Sequence, residues 1–252
     1  MHWSAPAFGL GVYAVALVAL APATLIDARL QAASEGRLRL AEARGSLWSG
    51  AAWIEIRDAQ GRAGVAKRLR WRVPPRSLLR GRLLAEVELD RDAKPFPVAI
   101  SFSRIDIADA GVSVPAAVLG LGAPRLAALR LTGEMRVKVP RLSFERGQMQ
   151  GDATLQWRAA GSALTPISPL GDYEVRFKAA GPAVHAALRT LEGPLQLDGK
   201  GTWSDGAPPS YLVTALVPAQ HREQLAPLLG LIAVERGAGR FELSSSRMAF
   251  GP

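Results

Sequence analysis

Residues 173–178 read Tyr-Glu-Val-Arg-Phe-Lys, an alternation of apolar and charged side chains. In an extended chain successive side chains point to opposite faces, so Tyr173, Val175 and Phe177 share one face and Glu174, Arg176 and Lys178 an exposed one. The pattern recurs at Ile54-Glu55-Ile56-Arg57, Ala85-Glu86-Val87-Glu88-Leu89, Met135-Arg136-Val137-Lys138-Val139 and Leu195-Gln196-Leu197-Asp198. Turn signals separate these stretches at residues 58–61, 90–92, 146–147 and 204–206. Short amphipathic strands at this spacing predict a mainly β body: a curved, mostly antiparallel sheet of repeated hairpin units with one or two short covering helices. Helical spacing is confined to 114–121 and, more clearly, 218–235. In the latter, Leu225, Leu228, Leu229 and Ile232 fall on one face, Pro227 starts a new turn or kinks the helix, and Gly237 suits its stop.

The chain has 252 residues and 48% apolar content, enough to bury a sizeable core. Cysteine is absent, which excludes disulfide scaffolds, thiolate nucleophiles and sulfur-liganded zinc. A net charge of +9 suits anionic lipid, nucleic acid or acidic protein surfaces. The cations are nevertheless spread, as in Arg68-Leu69-Arg70-Trp71-Arg72-Val73, where alternation sends the arginines to one face of a strand. That is the pattern of a solvated face, and nucleic acid is not expected as a partner.

Catalytic signatures fail one by one. Of the three histidines, His2, His185 and His221, none has a partner at the spacing of a helical metal pair. The stretch Gly45-Ser46-Leu47-Trp48-Ser49-Gly50 holds four residues between its glycines, one too many for a nucleophile elbow. It reads instead as a strand entrance, Gly45 and Gly50 turning the backbone while Leu47 and Trp48 supply apolar surface. Gly199-Lys200 lacks both the preceding glycine and the following Ser or Thr of a phosphate loop. Glu86 and Glu88 share a strand face, where arginines of neighbouring strands explain them as cross-strand pairs worth ~0.2–1 kcal/mol each. No catalytic residue, cofactor or metal is therefore expected.

From Trp3 to Ile26 no residue is charged, a run long enough to cross a hydrocarbon core of ~30 Å as a helix. Residues 1–30 are expected to form a membrane anchor and 31–252 the β-rich body. A cleaved signal peptide is the alternative, with Ala21-Pro22-Ala23 as its small-residue site, against which the length of the run and the proline argue. Arg29, Arg37 and Arg39 follow the span, so the positive-inside rule alone would keep the body cytoplasmic, although long domains override that rule.

Two segments, 45–110 and 131–204, echo one another. Leu69-Arg70-Trp71-Arg72 recurs as Leu155-Gln156-Trp157-Arg158, each followed by a Gly (Gly81, Gly171) and a Glu-Val strand; Gly199-Lys200-Gly201-Thr202-Trp203 is a third echo. Stacked hairpin units, or chance likeness among amphipathic strands, both account for this.

The order of these features resembles type II secretion system protein N. The resemblance rests on the N-terminal apolar run, Gly45-Ser46-Leu47-Trp48-Ser49-Gly50-Ala51-Ala52, Leu69-Arg70-Trp71-Arg72-Val73-Pro74 and Leu78-Leu79-Arg80-Gly81. It continues through Leu131-Thr132-Gly133, Gly151-Asp152-Ala153-Thr154-Leu155-Gln156-Trp157-Arg158 and Gly193-Pro194-Leu195-Gln196-Leu197-Asp198-Gly199. Its landmarks are Gly45, Leu47, Trp48, Gly50, Trp71, Gly81, Trp157, Gly193 and Gly199. The resemblance implies a single-pass bacterial inner-membrane protein with its body in the periplasm and other secretion subunits as partners. Membrane lipids would meet the anchor, and no catalytic residues transfer. The N-terminal tail lacks the arginines expected on the cytoplasmic side. The alternative function is a lipid-binding or lipid-guiding sheet, whose apolar groove would comprise Leu69, Trp71, Val87, Leu155, Trp157 and Val175.

Overall fold

The alternating stretches pair as strands, Leu195 alone lying just ahead of its own. The computed structural model describes residues 21–58, 61–90, 94–122, 124–204 and 206–245. The chain forms two compact units, one ending at Ile100 and the other beginning at Ser101.

In the first unit, helix α1 (Thr24–Ala33) precedes β1 (Leu38–Gly45), β2 (Ser49–Arg57), β3 (Ala63–Arg72), β4 (Leu83–Leu89) and β5 (Phe96–Ile100). These strands lie side by side in chain order, each antiparallel to the next. Register sets their faces: Gly50 lies opposite Trp71, and Trp71 opposite Val87, while Arg70 meets Glu88 and Arg72 meets Glu86 on the other side. The core gathers Ala23, Leu40, Ala52, Trp71 and Val73, with Ile26 and Leu30 of α1 packed against it.

An edge strand presents unpaired amides that invite another chain. Here α1 occupies that edge. The Leu40 N–H donates to Asp27 Oδ1 at 2.7 Å and the Leu38 N–H to Ser34 Oγ at 3.0 Å. Further along, the Leu47 N–H donates to the Ala21 carbonyl at 2.8 Å and the Ala23 N–H to that of Gly45 at 3.3 Å.

The second unit contains β6 (Arg104–Pro115), β7 (Leu131–Glu145), β8 (Gln148–Ser162), β9 (Gly171–Gly181), β10 (Ala183–Glu192), β11 (Gln196–Ser204), β12 (Ser210–Leu216), β13 (Val234–Glu235) and β14 (Arg240–Ser244). Their lateral order follows the chain except that β14 lies between β12 and β13. One row shows how register builds an apolar face: Val112, Val137, Leu155, Val175, Leu188, Gly199, Val213 and Leu243 stand opposite one another, strand to strand. Helices α2 (Leu119–Gly122) and α3 (Pro124–Ala127) separate β6 from β7, and α4 (Arg222–Gly230) separates β12 from β13. Leu225, Leu228 and Leu229 of α4 pack with Leu129, Leu170, Leu195, Val217 and Phe241.

Both expected helices are shorter than their apolar spacing indicates. Val114 and Pro115 end β6, and a 3₁₀ turn over Ala116–Val118 leads into α2. Pro227 lies inside α4, which stops at Gly230 rather than Gly237 because Val234 and Glu235 are drawn into pairing with β14. No helix among the described residues is long and apolar enough to cross a membrane. The expected span falls mainly on residues 1–20, outside the described residues. Its last residues belong to the first unit: Ala21 and Ala23 are buried, and the boundary expected at residue 30 cuts through α1.

Candidate interaction surface

The stretch 45–50 forms the turn of the β1–β2 hairpin and leads into β2 at Ser49. Gly45 pairs with Gly50, and the Ser46 N–H closes the turn on the Ser49 carbonyl at 2.9 Å. Trp71 lies across it: its indole N–H donates to the Ser46 carbonyl at 3.1 Å, and a Cβ on Gly50 would collide with the ring. The Val73 N–H, just past β3, donates to the Trp48 carbonyl at 2.6 Å, so Trp71 and Val73 hold the turn at two points. Trp48 packs half-buried against the first core, with Leu47 half-buried beside it.

The second unit has a corresponding arrangement. Trp157 of β8 donates its indole N–H to the Thr132 carbonyl at 2.9 Å, again 25 residues earlier in the chain. Gly133, at φ 101°, leaves room for it, since a Cβ there would stand 2.9 Å from the indole nitrogen. Trp157 lies opposite Tyr173 as Trp71 lies opposite Val87, and its ring meets the tyrosine ring at 5.9 Å and 58°. Tyr173 is buried and donates to the Leu195 carbonyl at 2.9 Å. Burial, then the charge of Asp172, holds its hydroxyl above the usual tyrosine range, and it serves as a neutral donor.

The other landmarks are structural positions. Gly81 is exposed in the turn before β4, Gly193 turns β10 into β11 against Leu170 and Gly171, and Gly199 is buried in β11 against Leu212 and Val213. Of the expected groove residues, Leu69, Trp71 and Val87 share one face in the first unit, and Leu155, Trp157 and Val175 share one in the second. Leu69 and Trp71 lie in the packed core with Ile26 and Leu30, which makes that part of the face an interior. Val87, Leu155, Trp157 and Val175 are half-buried.

The polar faces are ordered by ion pairs. In the first unit Arg57 meets Glu55 at 2.9 Å, Arg70 reaches Glu88 at 3.9 Å, and the Arg68 guanidinium sits 5.2 Å from the centroid of the Trp53 ring. In the second unit Glu174, expected to be exposed, has only 5% of its surface accessible. Arg176 and Arg189 close over it, each 2.7 Å from Oε1, and Gln156 Nε2 donates to Oε2 at 3.1 Å. Gln156 first, then the two arginines, hold the carboxyl below its ordinary value of 4.5. Sequence alternation identified the face but missed this, because a central strand flanked by long arginines covers what an edge strand would expose.

At the far ends of β6 to β8 lies a polar depression of about 240 Å³, lined by Arg104, Ser143, Glu145, Arg146, Gln148 and Gln150. Within it Arg104 contacts Asp106 at 2.8 Å and Glu145 at 3.8 Å. Ser143, buried, donates to Asp106 at 2.7 Å, and this bond, followed by Arg104, lowers the Asp106 pKa. His185 Nδ1 lies 3.2 Å from Thr202 Oγ1 on the exposed face. Among the described residues no group of three or more His, Cys, Asp or Glu has a metal-binding arrangement.

Antiparallel strands, hairpins held by tryptophans and ion-paired polar faces define a mainly β scaffold. The protein-family model for Type II secretion system (T2SS), protein N, matches residues 36–244, and the chain belongs to that family. It is a type II secretion system component, and its family suggests the bacterial envelope as its location. The comparisons with curated proteins and with solved structures found no match.

Proposed function

We propose that the protein is an accessory, non-catalytic subunit of the type II secretion machine. Its N-terminal segment holds it in the inner membrane, with membrane lipids around the anchor and the β-rich body in the periplasm. There it supports the export of folded proteins across the outer membrane by contacts with other secretion subunits. The family match over residues 36–244, which includes strands of both units, carries this reading. Tethering raises effective concentration, so weak contacts suffice. The β1 edge is occupied by α1, which directs such contacts to the charged faces. We read segments 45–110 and 131–204 as two versions of one hairpin unit, supported by the matching tryptophan-to-carbonyl links of Trp71 and Trp157.

Deletion in a secreting bacterium, with photocrosslinkers at Arg70 and Ala187 in the complemented strain, tests the proposal. Both positions are exposed. The expected result is periplasmic accumulation of the exported enzymes on deletion and crosslinks to another secretion subunit. Unchanged secretion together with no such crosslink overturns it.

A further inference from the structure

Register concentrates charge that the sequence disperses. On the polar face of the second unit, Lys138, Thr154, Arg176, Ala187 and Lys200 stand opposite one another across β7 to β11. The next row reads Arg141, Asp152, Lys178, His185 and Thr202. Lys138, Arg141, Arg176, Lys178 and Lys200 are all exposed. Arg176 is paired with Glu174 through Nε and keeps 63% of its side chain accessible; the other four make no ion pair within 4.0 Å among the described residues. The third row, Arg136, Gln156, Glu174, Arg189 and Asp198, carries two acids against two cations, so the excess positive charge is confined to the first two rows.

We propose that these two rows form a docking surface for an acidic segment of a partner protein, an inference that rests on the secretion-subunit reading above and specifies where its contact lies. Strands ~4.8 Å apart space Lys138, Arg176 and Lys200 at ~10 Å intervals, a set of discrete positions for carboxylates. Phe, Tyr and Trp, whose rings stack on single-stranded nucleic acid and anchor at membrane interfaces, are absent from both rows. Asp152 lies within the patch and would repel a continuous polyanion, but leaves room for separated carboxylates. Leu212, opposite Lys200 and 52% exposed, offers an apolar contact at the end of the first row.

The test uses the full chain in detergent and a fluorescein-labelled glutamate-rich peptide, read by anisotropy. Reversing Lys138→Glu, Lys178→Glu and Lys200→Glu together is expected to weaken binding about tenfold or more, because each exposed contact adds a modest attraction and reversal replaces it with repulsion. The Lys→Gln triple variant is expected to lose less. A control with the same change in net charge, Arg37→Glu, Arg39→Glu and Arg72→Glu, should bind within about twofold of the parent. Equal losses in the two charge-reversed proteins would mean a general charge effect and overturn the proposal. Displacement of the peptide by an oligothymidylate or by a short-chain phosphatidylglycerol as readily as by unlabelled peptide would also overturn it. In cells, if deletion blocks secretion but the reversed triple variant restores it fully, the docking surface is wrong and the secretion reading stands. If deletion leaves secretion intact and no crosslink to a secretion subunit forms, the secretion reading itself fails.

Discussion

Two indole N–H groups each satisfy a backbone carbonyl, Trp71 that of Ser46 in the β1–β2 turn and Trp157 that of Thr132 at the start of β7. Replacing Trp71 with Phe keeps a ring but removes the donor, and is expected to cost about 1 kcal/mol in denaturant unfolding. Trp71→Ala also opens a cavity in the first core and should cost about 3–5 kcal/mol. Gly50 supplies the sharper check, since a methyl group there would meet the Trp71 ring. Gly50→Ala should destabilise the parent and add less to Trp71→Ala, where the clash with the ring is gone and that with the Arg44 carbonyl, 2.6 Å from the added methyl, remains; a double-mutant cycle measures the difference. Ser46 also holds the turn: its hydroxyl accepts from the Trp48 N–H at 3.2 Å and from that of Ser49 at 3.4 Å. Glu174 brings a pH dependence. Its folded pKa is lowered, so the stabilisation it gives is complete above the ordinary value of 4.5 and is lost as pH falls through the lower folded value. Glu174→Gln should reduce stability at pH 7 by about 1–2 kcal/mol, and the loss should shrink on acidification. A constant difference from neutral pH down to acid unfolding would exclude this role.

At the scale of elements, alternation made β2, β4, β7 and β9 legible, and the two-residue turn at Arg146 and Gly147 marked the β7–β8 hairpin, where both residues take positive φ, 49° and 81°. Less was legible where side chains are small or segments adjoin. The alanines of β10, Ala183, Ala186 and Ala187, blur its two faces, and α1 continues an apolar run that reads as membrane-spanning. Pairing register was legible only locally, in the acid–arginine pairing of β4 with β3, because across many strands it is set by contacts between distant segments. It follows that the row joining Lys138, Arg176 and Lys200 and the shielding of Glu174 emerge only in the structure. The guarding of β1 by α1 is likewise tertiary. Asp27→Ala is expected to leave the Leu40 amide without its acceptor, costing about 1 kcal/mol and speeding hydrogen exchange in β1, whereas Asp27→Asn retains an acceptor oxygen and should largely rescue protection. Equal exchange at Leu40 in the parent and the alanine variant would show that the helix does not protect this edge.

For the whole molecule, the decisive boundary lies where the proposed membrane segment ends and the folded body begins. Composition places it near residue 30, but Ala21 to Ala23, where the described residues begin, already contact the body, with Ile26 and Leu30 in the core and Asp27 on the β1 edge. Two truncations separate these boundaries. Removing residues 1–20 deletes most of the apolar run and leaves every one of those contacts, so the remaining chain should fold with a cooperative unfolding transition and no longer sediment with membranes. Removing residues 1–33 takes away α1 with its Asp27 bond to β1, exposes the apolar face under Ile26 and Leu30 and reopens the edge of β1. An exposed edge beside an uncovered apolar face favours association between chains, so this shorter protein should aggregate or unfold at markedly lower denaturant. If the secretion reading is right, the 21–252 chain, exported to the periplasm by an added cleavable signal, should also restore secretion less well than the tethered protein at equal abundance, and recover as its expression is raised. Indistinguishable stability of the two truncations would exclude α1 from the folded body, and full restoration at low abundance would remove tethering from the mechanism.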